Sequence, residues 1–328
     1  MLNNQLQILE NWRLECTSPR DYFLNWGSPL MNYTLQGAGE GSTIIIGGAP
    51  NFGKSALLTS TIIKLLEHNK DITILDFSLD DPLGKRLTQY VANMARLPMN
   101  DVMFAHKALG PVEMERFSEA YDKLRKWMSD GSLYIYEATA DDNAGKDIVV
   151  QATTSFITKT IREVREAKPD TKLIVAIDAI NDVDLDTKKP SFSELSEEKT
   201  IVKEITRAVI SAKSLCIVTS HLRKNEMSRP TLEDIRGNSF FGYSAKAVFG
   251  LYNDVKAKRN NSNLVWEEIL PDGTTISYPI VELHVLKSKT SDYNGIICMQ
   301  QWPAQGRVEE PDNMEIQKNF QRMVFGTV

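Results

Sequence analysis

The chain has 328 residues, of which 42% are hydrophobic and 25% charged, and its formal net charge is −5. That length holds a full core, as one large α/β domain with extensions or as two small domains, and the composition excludes disordered and fibrous classes. The acidic balance excludes a global positive field, so nucleic acid would have to be met by a local patch multiplied by oligomerisation.

Cys16, Cys216 and Cys298 are odd in number, widely spaced and without a C-x-x-C pair, which fits a reducing compartment better than zinc or disulfide chemistry. The N-terminus MLNNQLQILENW lacks a basic segment followed by an apolar one, and no apolar run approaches the ~20 residues that span a bilayer. The expectation is a soluble, cytoplasmic protein with no membrane partner.

In chain order, residues 1–40 read as an N-terminal arm. Leu2, Leu6 and Leu9 recur at helical spacing beside Ile8 and Trp12, before Ser18-Pro19 and Gly27-Ser28-Pro29 break the pattern. Such an amphipathic helix packs either on its own domain or on a neighbouring subunit.

The apolar run Thr43–Ile46 then leads into Gly48-Ala49-Pro50-Asn51-Phe52-Gly53-Lys54-Ser55, followed by a helical run from Ala56 to Glu67. The spacing G-x-x-x-x-G-K-S between a strand and a helix is that of a phosphate loop. Its backbone N–H groups close around phosphates, Lys54 reaches the outer phosphates and the Ser55 hydroxyl serves Mg²⁺. The helix start adds unpaired N–H groups and the positive end of its dipole. Residues 48–56 are therefore the expected nucleotide site, with ATP and Mg²⁺ as ligands.

Ile72 to Leu79 reads as a strand closed by Asp80-Asp81-Pro82. Helices are expected over 82–96, 111–128 and 147–167, with a short strand at 133–136 between the last two. Leu173 to Ile177 is apolar at every position, as in a strand buried on both faces of a parallel sheet, and ends in Asp178. A long polar segment, a helix over 197–214, the strand Leu215 to Ser220 and a second polar segment from Arg223 to Phe241 follow. Beyond Ala245 come strands without helices, at 247–252, 264–269, 276–286 and 296–302, with Pro271-Asp272-Gly273-Thr274 as a hairpin turn. The order predicts an α/β fold: a mostly parallel sheet with helices on both faces and an antiparallel C-terminal edge. The division expected is an arm 1–40, an ATPase domain 41–305 and a C-terminal tail 306–328.

In an open parallel sheet the ligand lies beyond the carboxyl ends of the strands. Asp178 stands where a carboxylate holding Mg²⁺ would, Asp80 could polarise an attacking water, and His221 could sense the γ-phosphate. Each also has a plain reading: Asp80 as a helix start before Pro82, His221 as a strand-end polar residue.

Taken in order, these segments resemble the RecA-like motor domain of DnaB-like replicative helicases. GGAPNFGKS is similar to the family's first motif, FSLD (77–80) to the element carrying its catalytic glutamate, LIVAIDAIND (173–182) to its Walker B strand and CIVTSHLRK (216–224) to the next strand. EDIRGNSFFGYSAKAVFGLY (233–252) resembles the loop and strand lining the DNA channel. VLKSKTSDYNG (285–295) resembles the element whose finger enters the next subunit's nucleotide site.

The resemblance implies a ring, read as a hexamer, that hydrolyses ATP, moves on single-stranded DNA and unwinds duplex in replication, with a separate primase or loader as a further partner and a bacterial host cytoplasm if phage-encoded. It implies Lys289, or Lys287, as the trans finger, and Arg223, Arg236, Gly237, Asn238 and Lys246 as DNA contacts, interleaved with Phe240, Phe241 and Tyr243 for stacking. Three departures stand out. Asp80 replaces a glutamate, Lys289 replaces an arginine and so lacks its planar fork, and with only about forty residues before the phosphate loop the expectation is a motor domain without the family's N-terminal primase or primase-binding domain. A RecA-type recombinase, or a loader that binds nucleotide with little hydrolysis, are the alternatives.

Overall fold

The computed structural model describes residues 5–7, 9, 10, 13, 24–36, 38–141, 148–186, 193–222, 228–235, 245–259, 261–270 and 273–326. In chain order the strands are β1 (Thr43–Gly48), β2 (Ile72–Ser78), β3 (Leu133–Glu137), β4 (Thr139–Asp141), β5 (Ile148–Val150), β6 (Lys172–Asp178), β7 (Leu215–Ser220), β8 (Ala247–Asn253), β9 (Val265–Ile269), β10 (Thr275–Ser288), β11 (Ile296–Trp302) and β12 (Arg307–Glu309). The frame of the fold is a sheet ordered β12-β11-β10-β8-β1-β7-β6-β2-β3, with β9 paired to β10, and a separate hairpin joins β4 to β5.

From β8 to β3 the pairing is parallel, and from β8 to β12 antiparallel. The central strands β1, β2 and β7 are buried along their whole length, as all-apolar strands covered on both faces must be. The main core surrounds them, and a smaller cluster of Ile280, Ile296, Cys298, Phe320 and Val324 lies under helix Met314–Phe325. The α/β fold with its antiparallel C-terminal edge is as the sequence pattern predicts.

Four departures have local causes. The helix expected over 147–167 spans only Thr154–Ala167. The β-branched run Ile148-Val149-Val150 prefers a pleated partner, and the Thr153 hydroxyl caps the helix by accepting from the Phe156 N–H. Short helices Met99–Met103 and Ala105–Ala108 fill the connection to helix Pro111–Ser129. In the segment set apart as a tail, β12 is the edge strand of the main sheet, and helix Met314–Phe325, capped by Asn313, packs on β10 and β11. In the arm, Trp26, Met31 and Leu35 are part of the main core, and the buried Glu310 carboxylate accepts from the Leu30 and Met31 N–H groups. Leu2, Ile8 and Trp12 lie outside the described residues, while Leu6 and Leu9 are exposed. Among the described residues, no helix is long and apolar enough to cross a membrane, and Cys216 and Cys298 are free and buried.

Candidate nucleotide-binding and catalytic cleft

The loop after β1 owes its shape to two left-handed residues, Asn51 at φ 62° and Gly53 at φ 105°. Asparagine tolerates that region and glycine occupies it freely. At Gly53 a Cβ would also come within 2.6 Å of the Gln301 amide, and at Gly48 within 3.1 Å of the Leu251 carbonyl. The backbone can therefore turn its N–H groups outward, as an anion-binding nest does. Helix Lys54–His68 starts at Gly53 with no capping side chain, so its first N–H groups face the same space. Lys54 is only 8% exposed, and its Nζ donates to the Gly48 and Ala49 carbonyls at 2.9 and 3.1 Å.

A cleft of about 420 Å³ opens beside this loop, within the range of small-molecule sites. Pro50, Asn51, Gly53, Lys54, Ser55 and Ala56 line it together with Asp80, Asp178 and His221. The structure thus brings the phosphate loop and all three strand-end residues to one wall. Gly48 and Ala49 act from behind, through their carbonyls on Lys54. Phe52 turns away and is buried edge-on against Tyr252, with ring centroids 5.8 Å apart.

Asp178 is the last residue of β6, opposite Ser78, and is 5% exposed. Its Oδ1 accepts from the Thr219 hydroxyl at 2.5 Å and its Oδ2 lies 3.5 Å from Arg86 Nη1. The β6 carbonyl end also accepts from the Leu79 and Asp80 N–H groups, which fixes the turn that leaves Asp80 exposed at the rim. The neighbouring Asp81 is engaged with Lys85 instead. His221 is set by Asn181, whose Oδ1 accepts from the His221 N–H at 2.9 Å. Behind them burial pushes the Asp182 carboxyl up; the Ala179 N–H opposes that and the Asp80 charge adds to it.

No cluster of three or more metal-ligating side chains exists among the described residues. Ser55 and Asp178 nevertheless fit Mg²⁺, which keeps several waters and takes substrate phosphate oxygens rather than an all-protein cage. The cleft is also lined by Gln89, Met99, Lys256, Gln301, Pro303 and Gly306, none of them foreseen from the sequence. They come from separate elements, so no local spacing could have grouped them.

The sequence profile of the DnaB-like helicase C-terminal domain matches residues 26–293, most of the chain. This chain belongs to that family. Among solved structures, the ATPase domain of a phage helicase is similar with a TM-score of 0.72 at 15% identity, covering 94% of this chain and 98% of that one. A DnaB-like replicative helicase, solved with its interactions with primase, is similar with a TM-score of 0.72 at 15% identity, covering 93% of this chain and 67% of that one. At that identity the likeness shows the fold alone. No curated protein matches the sequence.

The finger candidates of this DnaB-like domain lie elsewhere. Lys287 is near the end of β10 and Lys289 just past it, where β10 runs abreast of Val248 and Ala247. Those residues open β8, alongside Ile44, whereas Gly48 lies abreast of Leu251. Both lysines therefore sit at the opposite edge of the sheet from the phosphate loop, and neither lines the cleft. Burial and the adjacent Lys289 charge hold the Lys287 amine below its ordinary value. The Lys246 carbonyl accepts from the Lys289 N–H at 2.8 Å, with both side chains exposed.

Arg223, Lys224, Arg236, Gly237, Asn238, Phe240, Phe241 and Tyr243 lie outside the described residues, as do Pro271 and Asp272 of the expected turn. Arg229, in the second polar segment, is committed to the sheet: its Nε and Nη2 donate to the buried Glu282 carboxylate at 2.7 and 2.9 Å.

Proposed function

We propose that this domain is the motor of a ring-shaped replicative helicase that binds ATP with Mg²⁺, hydrolyses it and moves along single-stranded DNA. The observation that carries this reading is the convergence of Lys54, Ser55, Asp80, Asp178 and His221 on one cleft at the carboxyl edge of the parallel strands. Lys54 and the loop's N–H groups hold the β- and γ-phosphates, and Ser55 and Asp178 hold the metal, which neutralises charge developing on the phosphates. Asp80 orients the attacking water and accepts its proton, while His221 responds to the γ-phosphate and, through Asn181 and Ser220, ties that response to β7.

Assembly into a ring, with a hexamer as the expected stoichiometry, is supported by the position of the finger lysines. The finger lysines stand at the far edge of the sheet, so Lys289, with Lys287 as fallback, serves the nucleotide of a neighbour. A surface suited to hold that neighbour is an apolar groove of about 680 Å³ whose walls include Leu87, Val91, Val102, Phe117, Tyr121 and Met128. The occupant is the arm, residues 1–16, of a second copy, since Leu6 and Leu9 are 58% and 55% exposed on their own chain. Lys246, with Arg223, Arg236, Gly237 and Asn238, supplies the DNA contacts, and a separate primase or loader is a further partner.

The test is ATPase activity of the purified protein with and without single-stranded DNA, beside Lys54→Ala as the inactive control. DNA-stimulated turnover that is lost in Lys54→Ala is expected. Nucleotide binding without turnover, with or without DNA, would favour the loader reading, for which the short reach of Asp80 is the supporting observation.

A further inference from the structure

Asp76 interrupts the apolar strand β2 and is completely buried, and so is Arg86 in helix Leu83–Ala95. Arg86 Nε and Nη2 donate to the two Asp76 oxygens at 2.8 and 2.9 Å, and the Tyr90 hydroxyl donates to Asp76 Oδ2 at 2.8 Å. That bidentate pair accounts for two of the guanidinium nitrogens. The third, Nη1, points along the sheet to the neighbouring strand, 3.5 Å from Asp178 Oδ2 and 3.3 Å from Oε1 of Gln89, a residue of the cleft wall. Asp178 is thus met from both sides, by the Thr219 hydroxyl of β7 at 2.5 Å on one oxygen and, at the longer distance of 3.5 Å, by Arg86 on the other.

A buried ion pair is weak evidence of stabilisation, because desolvating both charges offsets most of their attraction. A guanidinium does what a lysine could not, since its planar fork saturates one carboxylate and leaves a donor at fixed geometry for a second. Asp76 also balances the cation, so Arg86 can orient Asp178 without presenting an uncompensated positive charge to an incoming Mg²⁺.

The geometry points to Arg86, held by Asp76 and Tyr90, as a positioning residue for the metal site, fixing the carboxylate orientation in which Asp178 meets the nucleotide's divalent cation. This rests on the reading of Asp178 as a metal ligand. Groups that hold a metal ligand in its orientation typically contribute 10–100-fold to affinity, and that is the size of effect expected here.

The experiment compares wild type, Asp76→Leu/Arg86→Leu, Arg86→Lys and Asp178→Asn. It measures Mn²⁺ binding by electron paramagnetic resonance with a non-hydrolysable ATP analogue, analogue affinity without metal, and thermal midpoint. Removing both buried charges together is tolerated in many folds, but it also leaves the buried Tyr90 hydroxyl without its acceptor, so the double variant is expected to fold with a lowered midpoint and to keep its metal-free analogue affinity while its Mn²⁺ dissociation constant rises about tenfold or more. Arg86→Lys retains charge against Asp76 but cannot reach both carboxylates, so it should show the same selective loss and stands in if the double variant does not fold. A folded double variant, or failing that Arg86→Lys, with wild-type Mn²⁺ affinity overturns the proposal and leaves Arg86 a partner of Asp76 alone. Unchanged Mn²⁺ binding in Asp178→Asn overturns the metal assignment itself, which separates the two failures.

Discussion

Asp80 stands exposed at the cleft rim, one methylene shorter than the glutamate its element resembles. Its backbone is fixed by the hydrogen bond to the Asp178 carbonyl, so reach has to come from the side chain alone. A positioned base contributes ~10²–10⁴-fold to a proton-transfer step. Asp80→Asn should therefore lower turnover by about that factor while nucleotide affinity is kept, and Asp80→Glu should preserve or raise turnover. Single-turnover hydrolysis and nucleotide titration of the variants check this; full activity in Asp80→Asn would move the base elsewhere, with Asp81 of the same cleft first in line. At this scale the sequence was legible where spacing is rigid: residues 48–55 are covalently consecutive, and Asp80, Asp178 and His221 each follow an apolar strand. Arg86 was not legible in that way. Its signal was Asp76, a charge inside an otherwise apolar strand, which has to find a buried partner, but one sequence does not say which cation that is.

At the scale of elements, the two ends of the sheet's strands present different groups. Parallel strands present β1, β6 and β7 to the cleft, and antiparallel β10 carries its lysines the other way. Between them, Arg229 and His284 both hold Glu282, a fully buried carboxylate on β10, with His284 Nε2 2.8 Å from Oε2. Burial would raise the Glu282 carboxyl, but the His284 and Arg229 hydrogen bonds outweigh it and hold it below its ordinary value. Over the window between that lowered value and the unfolded one, the unfolded chain binds more protons, so stability rises with pH. The contribution is complete above the ordinary glutamate range of about 4.3 and is lost as pH falls through the folded value. Glu282→Gln should lower the thermal midpoint near neutrality, because Arg229 loses its partner, and flatten the decline of the midpoint between about pH 5 and pH 3. An acid decline as steep as that of wild type would clear Glu282 of this role. The helix at Met99–Met103 escaped the sequence pattern because it is too short to show a period, whereas Met314–Phe325 was legible in the spacing of Ile316, Phe320 and Val324 behind the Asn313 cap.

At the scale of the whole molecule, the cleft and the finger candidates belong to different edges of one rigid sheet, so no motion of a strand end could bring Lys289 to its own phosphate loop. If Lys289 acts, it acts on a neighbour. The finger element is also tied to the arm: the Thr34 carbonyl accepts from the Thr290 hydroxyl at 2.7 Å, and Tyr33 donates to Asp292 at 2.7 Å. A neighbour seated through residues 1–16 would thus be coupled to the segment that carries the lysines. Arginine fingers contribute ~10³–10⁵ in rate in phosphoryl transfer; a lysine supplies the charge but not two parallel hydrogen bonds, so slow turnover that depends on assembly is expected. Lys289→Ala and Lys54→Ala proteins should each be inactive. Mixed together they should recover a fraction of wild-type ATPase, because an intact phosphate loop then meets an intact finger across some interfaces. Deleting residues 1–16 from both should abolish that recovery and give monomers in sedimentation, with circular dichroism unchanged. Mixed rings that hydrolyse no more ATP than the separate proteins would remove Lys289 from the reaction and direct the same experiment to Lys287, while complementation that survives loss of the arm would place the subunit contact elsewhere than the apolar groove.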